Sequence, residues 1–363
     1  MTEISLRTLN RTLLTRQLLV ERAELPAADL VRRLVAVQGQ EPNWPYVGLW
    51  TRLAGFGHDE LAALLRDRTV VRSTMIRRTV HLAAADDYRW LYPTVRAAVE
   101  QLYSAAYFQE ALGTADRDEF RSAGAELLAG RTLSRRELGL ALAERFPSPH
   151  PGRLAQALGV VLPLIHDDAA GVWGAWRNRR VSVSLAPDWI GEPVHETPDP
   201  ETLILRYLAA FGPASVADMQ AWSGVTRLAA VVARLRPNLR VHHDDTGREL
   251  FDLPEAPLAD PDLPVPVRFL PAFDNATLGH RDRRRIISDA DRARINRIAS
   301  AGVPMYLVDG FVHGTWAVED ATIRVTPWHP FTGTARAEVR AEAEALLPFI
   351  APGEDGKVIV ESV

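Results

Sequence analysis

Ser215-Val216-Ala217-Asp218-Met219-Gln220-Ala221-Trp222-Ser223-Gly224 is the stretch from which the fold is read. Ser215 has the chemistry of a helix N-cap, because its hydroxyl can accept from an otherwise unpaired N–H of the first turn, and Ser223-Gly224 ends the helix it opens. An apolar-periodic segment, Glu201 to Phe211, precedes it, and Val225 to Leu235 follows as the second helix of a pair. Leu239 to Leu253 then alternates as a hairpin with Asp245-Thr246-Gly247 at its turn. Helix, helix pair and strand pair in that order make a winged helix.

The same order recurs upstream. Asp118 to Ala129, a helix opening at Ser134, a helix from Gly152 and the strand pair ending in "GVWGAWRNRRVSVSL" form one copy. Ser5 to Leu19, Ala27 to Val37, His58 to Arg66 and the wing "VVRSTMIRRTVHLA" form another, and helices between Ala84 and Ala111 link the two. Downstream of a Pro-rich exit, "VRFLPAFD", "PMYLVDGFVHGTWAV" and "ATIRVTPW" alternate as strands. Asp309-Gly310 is a hairpin turn, and Ala335 to Leu347 closes as a helix expected to pack on the third wing. The expectation is an α+β, mainly α chain: three tandem winged-helix units in a curved arrangement with a C-terminal β-rich segment. Its boundaries fall at 1–115, 116–196, 197–255 and 256–363.

Composition excludes several chemistries. The 363 residues contain no Cys, which removes thiol nucleophiles, thiolate metal sites and disulfides. Lys357 is the single lysine among 42 basic residues, so a lysine Schiff base has essentially one candidate. No signal-like or membrane-spanning apolar run occurs, and a cytoplasmic, nucleoid-associated monomer is expected. "HHDD" at His242 to Asp245 and "HDD" at His166 to Asp168 are read as surface turns, and "GFGH" lacks the frame of a dinucleotide fingerprint. No metal or cofactor is expected.

Val37-Gln38-Gly39-Gln40-Glu41-Pro42-Asn43-Trp44-Pro45 carries the candidate chemistry. Pro42 biases Glu41 out of the α region, so the helix from Ala27 is expected to stop near Gly39 and to let two amides turn toward one space. Gln does not titrate near neutral pH; such a pair can orient a water or hold a developing cation, or simply cap carbonyls at a helix end.

These residues resemble a known family. "LVAVQGQEPNWPYVGLW", "STMIRRTVHLAAADDYRWL" and "FLPAFDNATLGHRDRRRII", spread from about residue 30 to residue 290, are similar to the winged-helix DNA glycosylases that unhook interstrand crosslinks, in the branch conferring azinomycin resistance. The resemblance implies that Gln38 and Gln40, as a Gln-x-Gln motif, carry base excision from double-stranded DNA bearing alkylated purines or crosslinks. A non-catalytic tandem winged-helix DNA-binding protein is the alternative.

A net charge of −4 is low for a DNA-binding chain, so the distribution of charge has to supply the contact surface. Asn275, His280, Arg281, Arg283, Arg284 and Arg285 combine arginines with a small turn and form the expected DNA contact, or else a buried Asp–Arg network that positions the loop. Arg177, Arg179 and Arg180 at the second wing are the further candidates. Trp44 could stack on a lesion, and Arg78 and His81 could support the motif from the adjacent strand.

Overall fold

The computed structural model describes residues 3–174, 180–298 and 302–363. Its described strands form three sheets. The first has six strands in the order Val37–Gln38, Val80–Ala84, Val70–Thr74, Leu164–His166, Ser182–Leu185 and Leu133–Ser134, each antiparallel to its neighbour. The two wings expected to be separate therefore share one sheet. Where they meet, the ladder is a single residue pair, Arg72 opposite His166. The second sheet holds the hairpin Arg240–Asp244 and Glu249–Asp252, joined in parallel by Glu3–Ile4 from the start of the chain.

The helices start and stop for local reasons. Ser215 and Asp218 form a reciprocal capping box on the helix Val216–Ser223, and Gly224 ends it with a left-handed φ of 78° that costs glycine little. Ser134 with Glu137 does the same for Arg135–Arg145. The partner helix in the third segment begins at Leu228 and not at Val225, because Arg227 adopts a left-handed conformation first. His242 to Asp244 and His166 lie in strands, where turns had been expected.

One continuous apolar core, including Val71, Tyr88, Leu91, Phe120, Leu154, Ile204, Phe211 and Trp222, runs through the first three segments. Fully burying side chains of this size contributes on the order of 2–3 kcal/mol each, and a second cluster, with Leu30, Tyr46, Leu49, Leu61 and Leu82, lies within the first segment.

The C-terminal sheet runs Arg268–Leu270, Met305–Val308, Phe311–Glu319, Thr322–Pro327 and Lys357–Val360. The last strand, parallel to its neighbour, escaped the sequence reading. Asp309 and Gly310 both take positive φ, as a tight hairpin turn needs. With the helix Ala335–Ile350, this sheet closes on Val47, against which Trp44 and Trp50 also pack. The expected docking on the third wing is thus corrected: it is the helix Trp44–Trp50 that offers a dense apolar face. The loop after Leu270 reaches the third segment, through Tyr207 Oη donating to the Gly279 carbonyl at 2.7 Å and His280 Nε2 meeting the Phe211 carbonyl at 3.0 Å.

Candidate active site

The helix from Ala27 ends at Arg33, and Val35, with φ of 67°, turns the chain into the strand Val37–Gln38. The Gln pair therefore sits on a sheet edge and not at the helix end expected. Gln38 lies opposite His81, and the Gly39 N–H donates to the Val80 carbonyl at 2.8 Å. Gln38 is buried and Gln40 is exposed.

Both amides have a fixed orientation, because each meets a group that can only donate. Arg77 Nη2 donates to Gln38 Oε1 at 3.0 Å, and the Val80 N–H donates to Gln40 Oε1 at 3.2 Å. Each carbonyl keeps a second lone pair, and each NH2 remains a donor. The two side chains face different spaces. Gln40 lines a polar groove of about 210 Å³ with Thr74, Arg78, Arg135, Gln156 and His166, whereas Gln38 lines a narrow cleft beside Trp44, Arg52, Asp274 and Asn275.

The turn between Thr74 and Val80 aims two arginines in opposite directions. Arg77 and Arg78 both have positive φ, 51° and 64°, a strained choice for non-glycine residues. Arg77 points inward, where Nη1 also donates to the Trp222 carbonyl at 3.0 Å and Nη2 lies 3.5 Å from His81 Nε2. Arg78 is exposed and lines the groove. His81 Nδ1 meets the Thr79 carbonyl at 2.9 Å, which places its proton there and leaves Nε2 as an acceptor. Burial, followed by the charge of Arg77, pushes the imidazole down to about 3, so it is neutral. Burial also lowers Arg77 to about 10, with Arg283 adding to the effect.

On the groove side, Arg72 Nε and Nη2 donate to the carbonyl of Gly39, between the two glutamines, at 3.2 and 3.0 Å. Its Nη1 lies 2.7 Å from His166 Nδ1, and Arg135 Nη2 lies 3.1 Å from His166 Nε2. Arg72, Arg77, Arg78, Arg135 and Arg283 form no ion pair within 4.0 Å among the described residues, although nineteen other arginines do. A guanidinium that is buried without a carboxylate carries a desolvation cost of several kcal/mol, which makes this face electropositive despite the net charge of the chain. Sequence reasoning missed Arg72, Arg77 and Arg135, since nothing in their local spacing separates them from paired arginines.

Several expected DNA contacts lie inside the protein, and the structure corrects them. Asn275 is buried and its Nδ2 donates to the Ala36 carbonyl at 2.8 Å. His280 is buried against Phe211, and burial together with Arg285 lowers it to about 3. Arg285 is buried and donates to the Pro213 carbonyl at 2.9 Å. Asp274 forms a two-bond ion pair with Arg52, both at 2.8 Å, beneath the loop. This is the buried Asp–Arg network held open as the alternative, and it ties the loop to the end of the helix Trp44–Trp50, where Arg52 also donates to the Gly48 carbonyl. Arg284 is engaged by Asp282 at 2.7 Å. Arg281 is exposed, Arg283 and Arg284 are half-buried, and of these three Arg281 and Arg283 form no ion pair among the described residues. Arg177 and Arg179 lie outside the described residues; Arg180 is described and exposed. Trp44 is half-buried edge-on to Trp316, with centroids 5.7 Å apart, a packing role that leaves little face for stacking.

Among the described residues no cluster of His, Asp or Glu could hold a metal ion, and no helix is long and apolar enough to cross a membrane. The single lysine, Lys357, is in the C-terminal sheet and not in the sheet that carries the glutamines.

The comparisons agree with this architecture. The chain is 27% identical over 355 residues to the interstrand DNA cross-link repair glycosylase of Streptomyces sahachiroi, covering 91% of this chain and 92% of that protein. The solved structure of the S. sahachiroi DNA glycosylase AlkZ superposes with a TM-score of 0.81 at 23% identity, covering 99% of this chain and 100% of the other, so the fold is shared. The family described as "DNA glycosylase AlkZ-like" matches residues 31–349. With most of its length in that match, this chain belongs to the AlkZ-like DNA glycosylase family.

Proposed function

We propose that the chain is a monofunctional DNA glycosylase that hydrolyses the N-glycosidic bond of N7-alkylated purines, including azinomycin-type interstrand crosslinks, on a scaffold of three winged-helix units. Alkylation at N7 places positive charge on the purine, so the leaving group needs no proton. The barrier lies in the oxocarbenium-like sugar and the attacking water. Gln38 and Gln40 are proposed as the catalytic pair. The free lone pair of each Oε1 accepts from the water or faces the developing cation, a form of positional and electrostatic catalysis.

The observation that carries this reading is the fixed orientation of both amides by donor-only partners, Arg77 and the Val80 N–H, on a face with uncompensated arginines. A reader of operators would have no use for a pair of amides locked in this way. Arg281, Arg283 and the second-wing arginines Arg177, Arg179 and Arg180 are proposed to meet the phosphates of double-stranded DNA, with Arg78 and His81 supporting the motif.

Incubating the protein with a duplex carrying a single 7-alkylguanine, then treating with alkali, tests the reaction. Strand breaks are expected for wild type. Gln38→Ala and Gln40→Ala should each slow single-turnover excision about a hundredfold, the scale seen when one transition-state contact is removed, while duplex affinity stays near wild type. No abasic sites with wild type would leave a DNA-binding protein without this activity. Wild-type rates in both variants would make the pair structural.

A further inference from the structure

His166 is 95% buried, yet it meets a guanidinium at each ring nitrogen, Arg72 at Nδ1 and Arg135 at Nε2. Burial, with both arginines adding to it, drives the imidazole well below its ordinary range, so the ring is neutral. A neutral imidazole has one lone pair and one N–H, so it can accept from only one of the two arginines. The closer contact, 2.7 Å from Arg72 Nη1, takes the lone pair at Nδ1. The proton then sits on Nε2 and points toward Arg135 Nη2, 3.1 Å away: two donors face each other with no acceptor between them.

The neighbouring acid Asp167 does not resolve this mismatch. Asp167 is half-buried and accepts from the Ser182 N–H at 3.3 Å; its charge acts on both arginines, but it forms no ion pair within 4.0 Å with either among the described residues. Both mismatched donors line the groove that also contains Gln40 and Arg78, whose guanidinium is likewise without a carboxylate. Reversing the tautomer does not help, since one ring N–H would still face a guanidinium. What relieves the arrangement is an oxygen acceptor carrying negative charge, placed in the groove so that it accepts from both Nε2–H and Arg135.

We propose that His166 Nε2–H and the Arg135 guanidinium form a binding site for one backbone phosphodiester of the substrate DNA, set in register with Gln40 by Arg72. Arg72 gives the register because one guanidinium holds both the His166 ring and the Gly39 carbonyl between the two glutamines. A phosphate bound there fixes the distance from the strand to the Gln40 amide, and it adds a directly hydrogen-bonded counter-charge to the more distant ones of Asp167 and Glu41. The proposal rests on the glycosylase reading for the identity of the polyanion, but it concerns binding and is tested without excision.

The test uses a duplex with a central tetrahydrofuran abasic analogue in which backbone phosphates near the analogue are replaced, one at a time, by neutral methylphosphonates. Affinities are measured for wild type, Arg135→Met, His166→Leu and His166→Gln, with thermal melts to confirm folding. One methylphosphonate position is expected to cost wild type about tenfold and to cost Arg135→Met nothing more. Arg135→Met should flatten the dependence of log affinity on log salt by about one unit, the release expected for one phosphate contact. His166→Gln, which keeps an N–H donor, should retain more affinity than His166→Leu.

Equal penalties at every position in both proteins would overturn the proposal, as would a singled-out position whose cost persists in Arg135→Met. Should a variant fail to fold, the scan on wild type alone decides, because a built subsite requires one position to stand out. A parallel arm uses inorganic phosphate. If it raises the melting temperature of wild type and not of Arg135→Met while the scan is flat, the site holds a free anion and the DNA assignment is wrong. The catalytic reading is separable: Gln40→Ala, which should lose excision, should show the same methylphosphonate position as wild type.

Discussion

At the scale of single residues, the arginine in the strained turn is the clearest target. Arg77 touches Gln38 Oε1, the Trp222 carbonyl and the edge of His81, and has no carboxylate to hold it. Its function on this geometry is to orient an amide. Arg77→Met removes that orientation and at the same time a buried charge whose desolvation is costly, so the two effects on stability oppose each other. The expected outcome is a nearly unchanged melting temperature, duplex affinity within about twofold and single-turnover excision slowed about tenfold, equivalent to about 1.4 kcal/mol on the barrier. A loss of affinity larger than the loss of rate would make Arg77 a DNA contact. Little of this was legible beforehand. Gln38 and Gln40 stood out as a motif, but their placement on a strand depends on Val35 adopting a left-handed φ, and a β-branched residue is the last for which that would be read from sequence.

Elements titrate together where they are packed together, and three buried imidazoles show how. His81, on the strand Val80–Ala84, and His280, in the loop after Leu270, are each lowered to about 3 chiefly by burial; His166, on Leu164–His166, lies well below its usual range for the same reason. In the unfolded chain each takes up a proton near pH 6.5, while the folded chain stays neutral. The unfolded state therefore binds more protons below that pH. Stability is complete above pH 6.5 and is lost as pH falls toward the folded-state values, by as much as about 1.4 kcal/mol per pH unit for each ring. Thermal melts between pH 7 and 5 should show a steep fall, and His280→Phe should lessen the slope even if it lowers stability at pH 7. An unchanged slope would mean that the rings charge in the folded state. At this scale the sequence was informative where signals were local: Ser215, Gly224, and Asp309-Gly310 each marked an element boundary that the structure keeps. It was silent on Glu3–Ile4 and Lys357–Val360, short strands whose parallel partners lie in other parts of the chain.

For the whole molecule, charge has to be counted by face. The chain carries a net −4, yet Arg72, Arg77, Arg78 and Arg135 around the six-stranded sheet, and Arg281 and Arg283 in the adjoining loop, form no ion pair within 4.0 Å among the described residues. Arg281 and Arg283 are the loop arginines that reach solvent without an ion pair. Replacing both with Ala should weaken binding to damaged and undamaged duplex alike and flatten the salt slope by about one to two units; a loss confined to damaged duplex would assign them to the lesion. Arg284, held by Asp282 at the surface, and the buried Arg285 should leave the slope unchanged. The chemistry has its own molecular-scale check. With the sole lysine on a different sheet from the glutamines, borohydride should trap no covalent protein–DNA adduct, and Lys357→Ala should excise at the wild-type rate. A trapped species would overturn hydrolysis by water.

The six-stranded sheet is joined across its middle by one ladder pair, Arg72 opposite His166, with the Ser73 hydroxyl donating to the Leu164 carbonyl at 2.7 Å as the adjacent stitch. A seam this narrow is the compliant line of an otherwise stiff body: small rotations about it cost few main-chain bonds and change the width of the groove at Gln40. The amides flanking it should exchange with deuterium sooner than those of Val80–Ala84, which are paired along their length on the neighbouring strand. Filling the groove with duplex should slow that exchange, so the protein would report occupancy of its own groove through the stiffness of its central sheet.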